Sequence, residues 1–248
     1  MSDRPSPRRV AGRLLRRLGL ERSRPQPDYR YVFIVTYGRS GSTLLQGVLN
    51  SLPGYLVRGE NRQAMRHLWE FHRTAVRERD RQRTGRERRG LPPGGHPPTD
   101  AYYGIDEFPV RRSLAGIRAL ALDTLLRPEP GTRVTGFKEI RWDDEDVAAY
   151  VTWLRKVFPG ARFVVNTRSL DDVAQSRWWA DDPGARERLE AVEARLLELR
   201  ESLGEAAFHV RYDDYVADPA ALRPLMDWLG EAYDEERLRE VLATRHSY

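Results

Sequence analysis

The residues best suited to chemistry form one short run near the N-terminus that combines two glycines, three hydroxyl residues and an arginine. Two glycines let the backbone curl and bring successive N–H groups close to one anion. The hydroxyl groups add hydrogen-bond donors, and the arginine adds a forked positive charge that suits phosphate or sulfate oxygens. The run therefore predicts an anion-binding loop rather than a plain turn. Its members are Gly38, Arg39, Ser40, Gly41, Ser42 and Thr43.

A predicted strand and a predicted helix flank this loop. Residues 31–36 are apolar and β-branched, which is typical of a strand buried on both faces. After the loop, Leu45, Val48 and Leu52 recur at helical spacing until Pro53 stops the pattern. A helix that begins here directs its unpaired N–H groups and the positive end of its dipole toward the loop.

The loop differs from the usual nucleoside-triphosphate loop, G-x-x-x-x-G-K-[ST], in which a lysine reaches the terminal phosphates. Gly38 and Gly41 are three positions apart, and Ser42 stands where that lysine would follow. No strong magnesium-binding aspartate follows an apolar strand. An ATP-dependent small-molecule kinase of the P-loop class is therefore the second interpretation.

Four more short apolar runs predict strands, and helical patterns separate them. Such alternation indicates an α/β fold of three layers, in which helices cover both faces of a mostly parallel five-stranded sheet. The strands are predicted at 55–58, 133–138, 162–167 and 207–212, and the main helices at 62–82, 113–126, 144–158 and 184–203, with two more at the end of the chain.

Polar side chains follow several of these strands. Ligands of parallel sheets bind beyond the carboxyl ends of the strands. Glu60, Lys138, Arg168 and Tyr212-Asp213 stand at such ends, as the glycine loop does. We expect these residues to converge in space.

Residues 36–45 resemble the 5′-phosphosulfate loop of sulfotransferases that use 3′-phosphoadenosine 5′-phosphosulfate (PAPS), especially bacterial ones and those acting on carbohydrates. A second motif of these enzymes is an arginine at a strand end with a serine eight positions later. Arg168 and Ser176 have that spacing, and a rise of ~1.5 Å per helical residue lets both reach one 3′-phosphate. The resemblance covers about residues 30–60 and 134–180.

The resemblance implies a fold like that of nucleotide kinases and direct transfer of a sulfuryl group from PAPS to a hydroxyl or amine, with no metal. It implies that Arg39 stabilises charge on the bridging oxygen as the nucleoside bisphosphate leaves. The C-terminal Arg-Lys-Gly motif that closes over the nucleotide in animal and plant cytosolic enzymes is absent. The acceptor is a small molecule, and a carbohydrate or lipid-linked sugar follows only from family analogy.

Glu60 is the candidate general base on the acceptor, because it follows a strand and a glycine as in carbohydrate sulfotransferases. The alternative is that Glu60 only pairs with Arg58 or Arg62.

Lys138 is assigned to the transferring sulfuryl oxygens. The alternative is that Lys138 forms a structural ion pair with Glu139 or Glu145. Arg141 is then the candidate for the sulfuryl oxygens.

Composition excludes several classes of function. The 248 residues include no cysteine, so disulfides, thiolate catalysis and cysteine-ligated metals are ruled out. No apolar run reaches the ~18 residues of a membrane span, and no secretory signal is evident, so a cytoplasmic location is expected. The net charge of +5 is concentrated in two arginine-rich segments, 1–30 and 73–89. Without a continuous basic face we expect no nucleic-acid partner, and a non-enzymatic binder of polyanions or membrane surfaces is the third interpretation.

Domain organisation is predicted as a basic, flexible tail at 1–28 and a single domain at 29–248. The tail includes a short amphipathic stretch that is able to touch an anionic membrane surface. Within the domain, an insertion at about 62–130 is expected to build the acceptor side. Its proline- and glycine-rich part, 90–99, is expected to be an exposed loop over the active site.

Overall fold

The computed structural model describes residues 28–92, 94–176 and 179–243, and these residues form five strands and nine α-helices. Apart from Asp28, the predicted tail lies outside the described residues. The strands are β1 (Arg30–Val35), β2 (Tyr55–Arg58), β3 (Val134–Glu139), β4 (Arg162–Thr167) and β5 (Ala207–Arg211). The helices are α1 (Ser42–Asn50), α2 (Ala64–Glu87), α3 (Val110–Ala121), α4 (Val147–Val157), α5 (Leu170–Ala174), α6 (Ala185–Leu203), α7 (Tyr212–Ala217), α8 (Arg223–Leu229) and α9 (Glu235–Ala243).

The five strands form one parallel sheet in the order β2-β3-β1-β4-β5. This confirms the predicted sheet, and each strand begins and ends within one residue of its predicted bounds. The first strand lies in the centre because the chain fills one side with β2 and β3 and then crosses to add β4 and β5. The loop after β1 is therefore at the switch point of the sheet, where ligands of such sheets bind.

Alternate residues of the strands face two separate cores, which is why the runs are apolar throughout. Phe33, Phe137 and Phe163 face a core that α2, α3, α4 and α6 cover. Ile34 and Val164 face a second core that α1, α8 and α9 cover. The predicted three-layer architecture is confirmed.

The central strands β1 and β3 approach each other closely at Gly136. A Cβ atom on this residue would lie 1.7 Å from the backbone oxygen of Val32, far inside van der Waals contact. Only glycine is compatible with this approach.

The loop at 90–99 does not cover the carboxyl ends of the strands, so its expected position over the active site is wrong. The N-terminal end of α2 lies at those strand ends, where the Gln63 backbone N–H donates to Glu139. The 24 residues of α2 extend about 36 Å. His96 is buried at the opposite end of this helix, with its Nδ1 3.1 Å from an oxygen of Asp100. The Arg86 side chain, in the last turn of α2, donates to the Pro92 carbonyl.

Two further predictions concern the C-terminal helices and membrane spans. The chain ends in three short helices, α7 to α9, rather than the two predicted. Within the described ranges, no helix is both long and apolar enough to cross a bilayer. The cytoplasmic location stays a prediction.

Candidate active site

The loop after β1 takes its shape from two residues with left-handed backbone conformation, Arg39 (φ 69°) and Gly41 (φ 77°). Gly41 is the residue that precedes the first turn of α1. A Cβ atom on Gly41 would lie 2.0 Å from the ring of Tyr212, which follows β5. Gly41 thus supplies both the turn and the space for the aromatic ring at the start of α7.

Hydroxyl and amide groups fix the loop from within. The Thr36 hydroxyl donates to the Asn166 carbonyl at 2.6 Å, so it accepts the hydrogen bond from Ser40, also at 2.6 Å. The Asn166 side-chain amide donates to the Ser40 carbonyl at 2.8 Å. Because Ser40 is fully buried, its hydroxyl shapes the loop rather than facing a ligand. Ser42 is buried at the start of α1, and Thr43 is exposed.

The structure brings together three of the predicted anion-binding side chains. Arg39 Nε donates to Ser176 Oγ at 2.9 Å, and Arg168 NH1 donates to the Arg39 carbonyl at 3.3 Å. The sequence places Ser176 about two helical turns into a helix, but α5 ends at Ala174 and Ser176 lies two residues beyond it. The helix begins as predicted, with the Ser169 hydroxyl accepting from the Asp172 N–H.

Arg168 is held by weak contacts that leave part of its guanidinium unsatisfied. Its guanidinium carbon lies 4.7 Å from the ring centre of Tyr212, a cation–π geometry. Its nearest carboxylate, Asp172, is 3.8 Å away. Arg168 Nε is buried and has no hydrogen-bond partner among the described residues. A buried, unpaired guanidinium N–H in a loop cluster of this kind fits an anionic ligand.

On the other side of the loop, Glu60 and Lys138 form an ion pair of 2.6 Å between Oε1 and Nζ. The same Nζ lies 3.5 Å from the Thr43 hydroxyl, so Lys138 joins the first turn of α1 to Glu60. Lys138 is buried, whereas the side chain of Glu60 is 36% exposed. A buried cation beside an exposed carboxylate can meet charge that develops on a bound molecule.

Two of the alternative ion pairs, Glu60 with Arg58 and Lys138 with Glu139, are not seen among the described residues. Arg58 pairs with Glu129 and with backbone carbonyls after α3, not with Glu60. Glu139 accepts from the backbone N–H groups of Gln63 and Ile140 instead of pairing with Lys138.

Tyr37 connects the loop to helix α6, and sequence reasoning missed it. Its hydroxyl is 2.5 Å from Glu193 Oε2, and it accepts from the Arg168 backbone N–H at 3.0 Å. Burial and the hydrogen bond to Glu193 raise the pKa of Tyr37 above its usual value of 10, so the hydroxyl stays protonated. Its position inside the loop motif was the only available signal.

A cavity of about 620 Å³ opens beside Glu60 and Gly38. Its remaining walls come from the chain after β3 and from one face of α6. No described residue of 62–130 lines this cavity, so the acceptor side expected for that segment gains no support from it and stays a prediction. The other lining residues are Tyr37, Ile140, Arg141, Asp143, Trp179, Arg188, Leu189, Ala191, Val192 and Arg195.

A glycine loop between the central strand and a helix, with basic side chains at the carboxyl ends of neighbouring strands, defines a P-loop-like α/β protein. Within this class, the sequence model of the sulfotransferase family matches residues 31–235. The chain belongs to the sulfotransferase family, and it is a sulfotransferase. A comparison with curated proteins found no significant match.

Solved structures show the same fold. The sulfotransferase domain of the Synechococcus PCC 7002 olefin synthase aligns with a TM-score of 0.53 and 19% identity, over 90% of this chain and 81% of that chain. The sulfotransferase domain from the curacin biosynthetic pathway aligns with a TM-score of 0.53 and 17% identity, over 88% of this chain and 79% of that one. The predicted P-loop-like fold is therefore confirmed.

Proposed function

We propose that this sulfotransferase takes its sulfuryl group from PAPS and transfers it to a hydroxyl or amine of a small-molecule acceptor. The observation that carries the proposal is the cluster of Arg168, Arg39 and Ser176, in which the buried Arg168 Nε has no partner among the described residues. Arg168 and Ser176 are proposed to bind the 3′-phosphate. This phosphate distinguishes PAPS from the adenosine phosphates that kinases use.

The 5′-phosphosulfate is proposed to bind the loop Gly38–Thr43. Left-handed backbone at Arg39 and Gly41 orients successive N–H groups toward one anion, and the N-terminus of α1 adds its dipole. We call this loop, together with Arg168 and Ser176, the donor side. Glu60, Lys138 and the cavity beside them form the acceptor side.

The transfer itself is proposed to occur between the two sides. The acceptor oxygen forms a bond to sulfur, and the bond from sulfur to the bridging oxygen of the 5′-phosphate breaks. Glu60 accepts the proton of the acceptor hydroxyl. Lys138 stabilises negative charge on the sulfuryl group and on the departing bisphosphate, because its Nζ is placed between Glu60 and the first turn of α1.

Arg39 is the second cation available to the leaving group. The Arg39 guanidinium bonds Ser176, so its position favours a share in phosphate binding. The predicted role of Arg39 at the bridging oxygen stays a hypothesis, and comparison with Lys138 tests it.

Polyanion binding through the arginine-rich helix is less well supported. Within the described part of the segment 73–89, Arg73 pairs with Glu70 and Asp146, and Arg79 pairs with Asp80. These pairs neutralise part of the charge that such a binder would need.

Thermal unfolding with added nucleotides tests the donor. A ligand that binds only the folded state stabilises it by about 2.7 kcal/mol at a hundredfold excess over its Kd. We expect 3′-phosphoadenosine 5′-phosphate to stabilise the wild type strongly and AMP weakly. Arg168→Ala should lose most of the stabilisation by the bisphosphate, and Arg155→Ala, an exposed site on α4, should keep it. Equal or greater stabilisation by ATP with magnesium would favour a kinase instead.

A further inference from the structure

The cavity on the acceptor side has a wall with a regular chemical pattern. Arg188, Ala191, Val192 and Arg195 line the cavity and recur along α6 at the spacing of one helix face. This face is apolar in its centre and has an arginine at each end. The volume of about 620 Å³ is in the range of small-molecule sites.

The positive charge of the lining is only partly neutralised within the described residues. Arg188 pairs with Asp182. Arg195 donates to the backbone carbonyl of Asp143, and neither Arg195 nor Arg141 has an ion pair in the described part of the chain. Of the two carboxylates in the lining, Glu60 is paired with Lys138, and Asp143 has no ion pair among the described residues. Within the described residues, Arg141 and Arg195 without ion pairs outnumber the one such carboxylate, so the lining can accept a negatively charged group.

Much of the remaining lining is apolar. Ile140 and Trp179 join the apolar centre of the α6 face, which Ala191 and Val192 form. A neutral sugar carries no negative charge to match the two arginines. A molecule with an apolar body and an anionic group matches them.

We infer, on the basis of the proposed function, that the acceptor is an amphiphilic alcohol that carries a carboxylate or phosphate. Its hydroxyl lies at Glu60, its apolar body follows Ala191 and Val192, and its anionic group contacts Arg141 and Arg195. This replaces the carbohydrate acceptor suggested by family analogy with a class chosen by the lining of the cavity.

The test is calorimetric titration of the full chain, saturated with 3′-phosphoadenosine 5′-phosphate. The probes are ω-hydroxy carboxylic acids of six, eight and ten carbons, their methyl esters, and the ω-hydroxyalkyl phosphates of the same lengths. At least one anionic probe should bind about tenfold more tightly than its ester, as expected for one charge-assisted hydrogen bond. Comparison of the affinities of the carboxylic acids and the phosphates shows which anion the site prefers.

The variants locate the contact. Arg141→Gln and Arg195→Gln should each reduce the difference between acid and ester at least several-fold, and the exposed Arg155→Gln on α4 should leave it unchanged. Each variant must retain its stabilisation by the bisphosphate, which reports folding and the donor side separately. If no anionic probe binds more tightly than its ester while the bisphosphate still binds, the acceptor class is wrong and the proposed function stands. If the bisphosphate does not bind the wild type, the proposed function itself fails.

Discussion

The donor side and the acceptor side of the site differ in how their side chains are held. On the donor side, Thr36, Ser40 and Asn166 form a closed hydrogen-bond network, and Arg39, Ser176 and Arg168 are linked in series. On the acceptor side, the 36%-exposed Glu60 has Lys138 as its ion-pair partner and borders an open cavity. The side proposed to bind the phosphates is therefore preformed by hydrogen bonds, whereas the side proposed to bind the acceptor is more open.

The largest effect is expected from Glu60→Gln, which removes the proton acceptor and nearly preserves shape. Loss of a general base lowers kcat by about 10²–10⁴-fold, whereas the bisphosphate should bind as tightly as to the wild type. Sulfuryl transfer with an accepted alcohol and calorimetry with the bisphosphate measure the two sides separately. A variant with near-normal kcat would show that Glu60 only positions Lys138.

Lys138 and Arg39 should respond in opposite ways when each is changed to methionine. Lys138→Met is expected to lower kcat by about 10²-fold, as when one preformed charge-stabilising donor is lost, with little change in bisphosphate affinity. Arg39→Met should mainly lower the affinity for the bisphosphate, because the Arg39 guanidinium donates a hydrogen bond to Ser176. Steady-state kinetics and calorimetry on both variants separate these effects. If Arg39→Met instead lowers kcat alone, Arg39 rather than Lys138 serves the bridging oxygen.

Two glycines offer a matched pair of substitutions. Gly41→Ala places a Cβ in the ring of Tyr212 and requires a positive φ, which costs about 1–3 kcal/mol in backbone strain alone. Gly59→Ala, beside Glu60, places its Cβ 3.9 Å from the nearest neighbouring side chain, Gln46, at ordinary contact distance. Denaturant unfolding should show a loss of stability in the first variant and little change in the second. Equal losses would mean that the two sides are equally constrained.

Tyr37→Phe should have a smaller effect, since it removes one hydroxyl between the donor side and α6. The loss of its hydrogen bonds to Glu193 and the Arg168 backbone should lower the free energy of unfolding by about 1–1.5 kcal/mol. Bisphosphate affinity should fall a few-fold, because Arg168 loses one of the contacts that place it. Calorimetry and chemical unfolding measure both. An unchanged affinity for the bisphosphate would mean that Tyr37 contributes to packing and not to the position of Arg168.

The smallest effect concerns pH and His209, which lies behind the donor side with Nε2 2.8 Å from the Thr167 hydroxyl. Burial lowers the pKa of His209 below its usual value of 6.5, so the unfolded chain binds the proton more readily. This contribution to stability is complete above pH 6.5 and is lost as the pH falls below it. His209→Gln should flatten the stability profile in that window. Part of the pH dependence of stability should remain in this variant, because burial also lowers the pKa of His72.

Sequence patterns predicted the sheet well because its strands are apolar on both faces and are separated by helical periodicity. The convergence of Arg39, Arg168 and Ser176 was also predictable, since these residues lie in a compact motif or follow a strand end. The cavity was not: its lining comes from α6 and from the turn after β3, whose arginines look like ordinary solvated charges in an arginine-rich chain. The position of 90–99 was wrong because composition identifies a loop but does not say which end of a helix it meets.

Gly136 fixes the distance between β1 and β3, and through it the geometry of the site. Its Cβ position is occupied by the Val32 carbonyl, and it precedes Lys138 by two residues on the same strand. Any larger residue would push β3 from β1 and so separate Glu60 and Lys138 from the phosphate loop. A substitution at position 136 is therefore expected to disturb the proposed site through the sheet, without touching either proposed substrate.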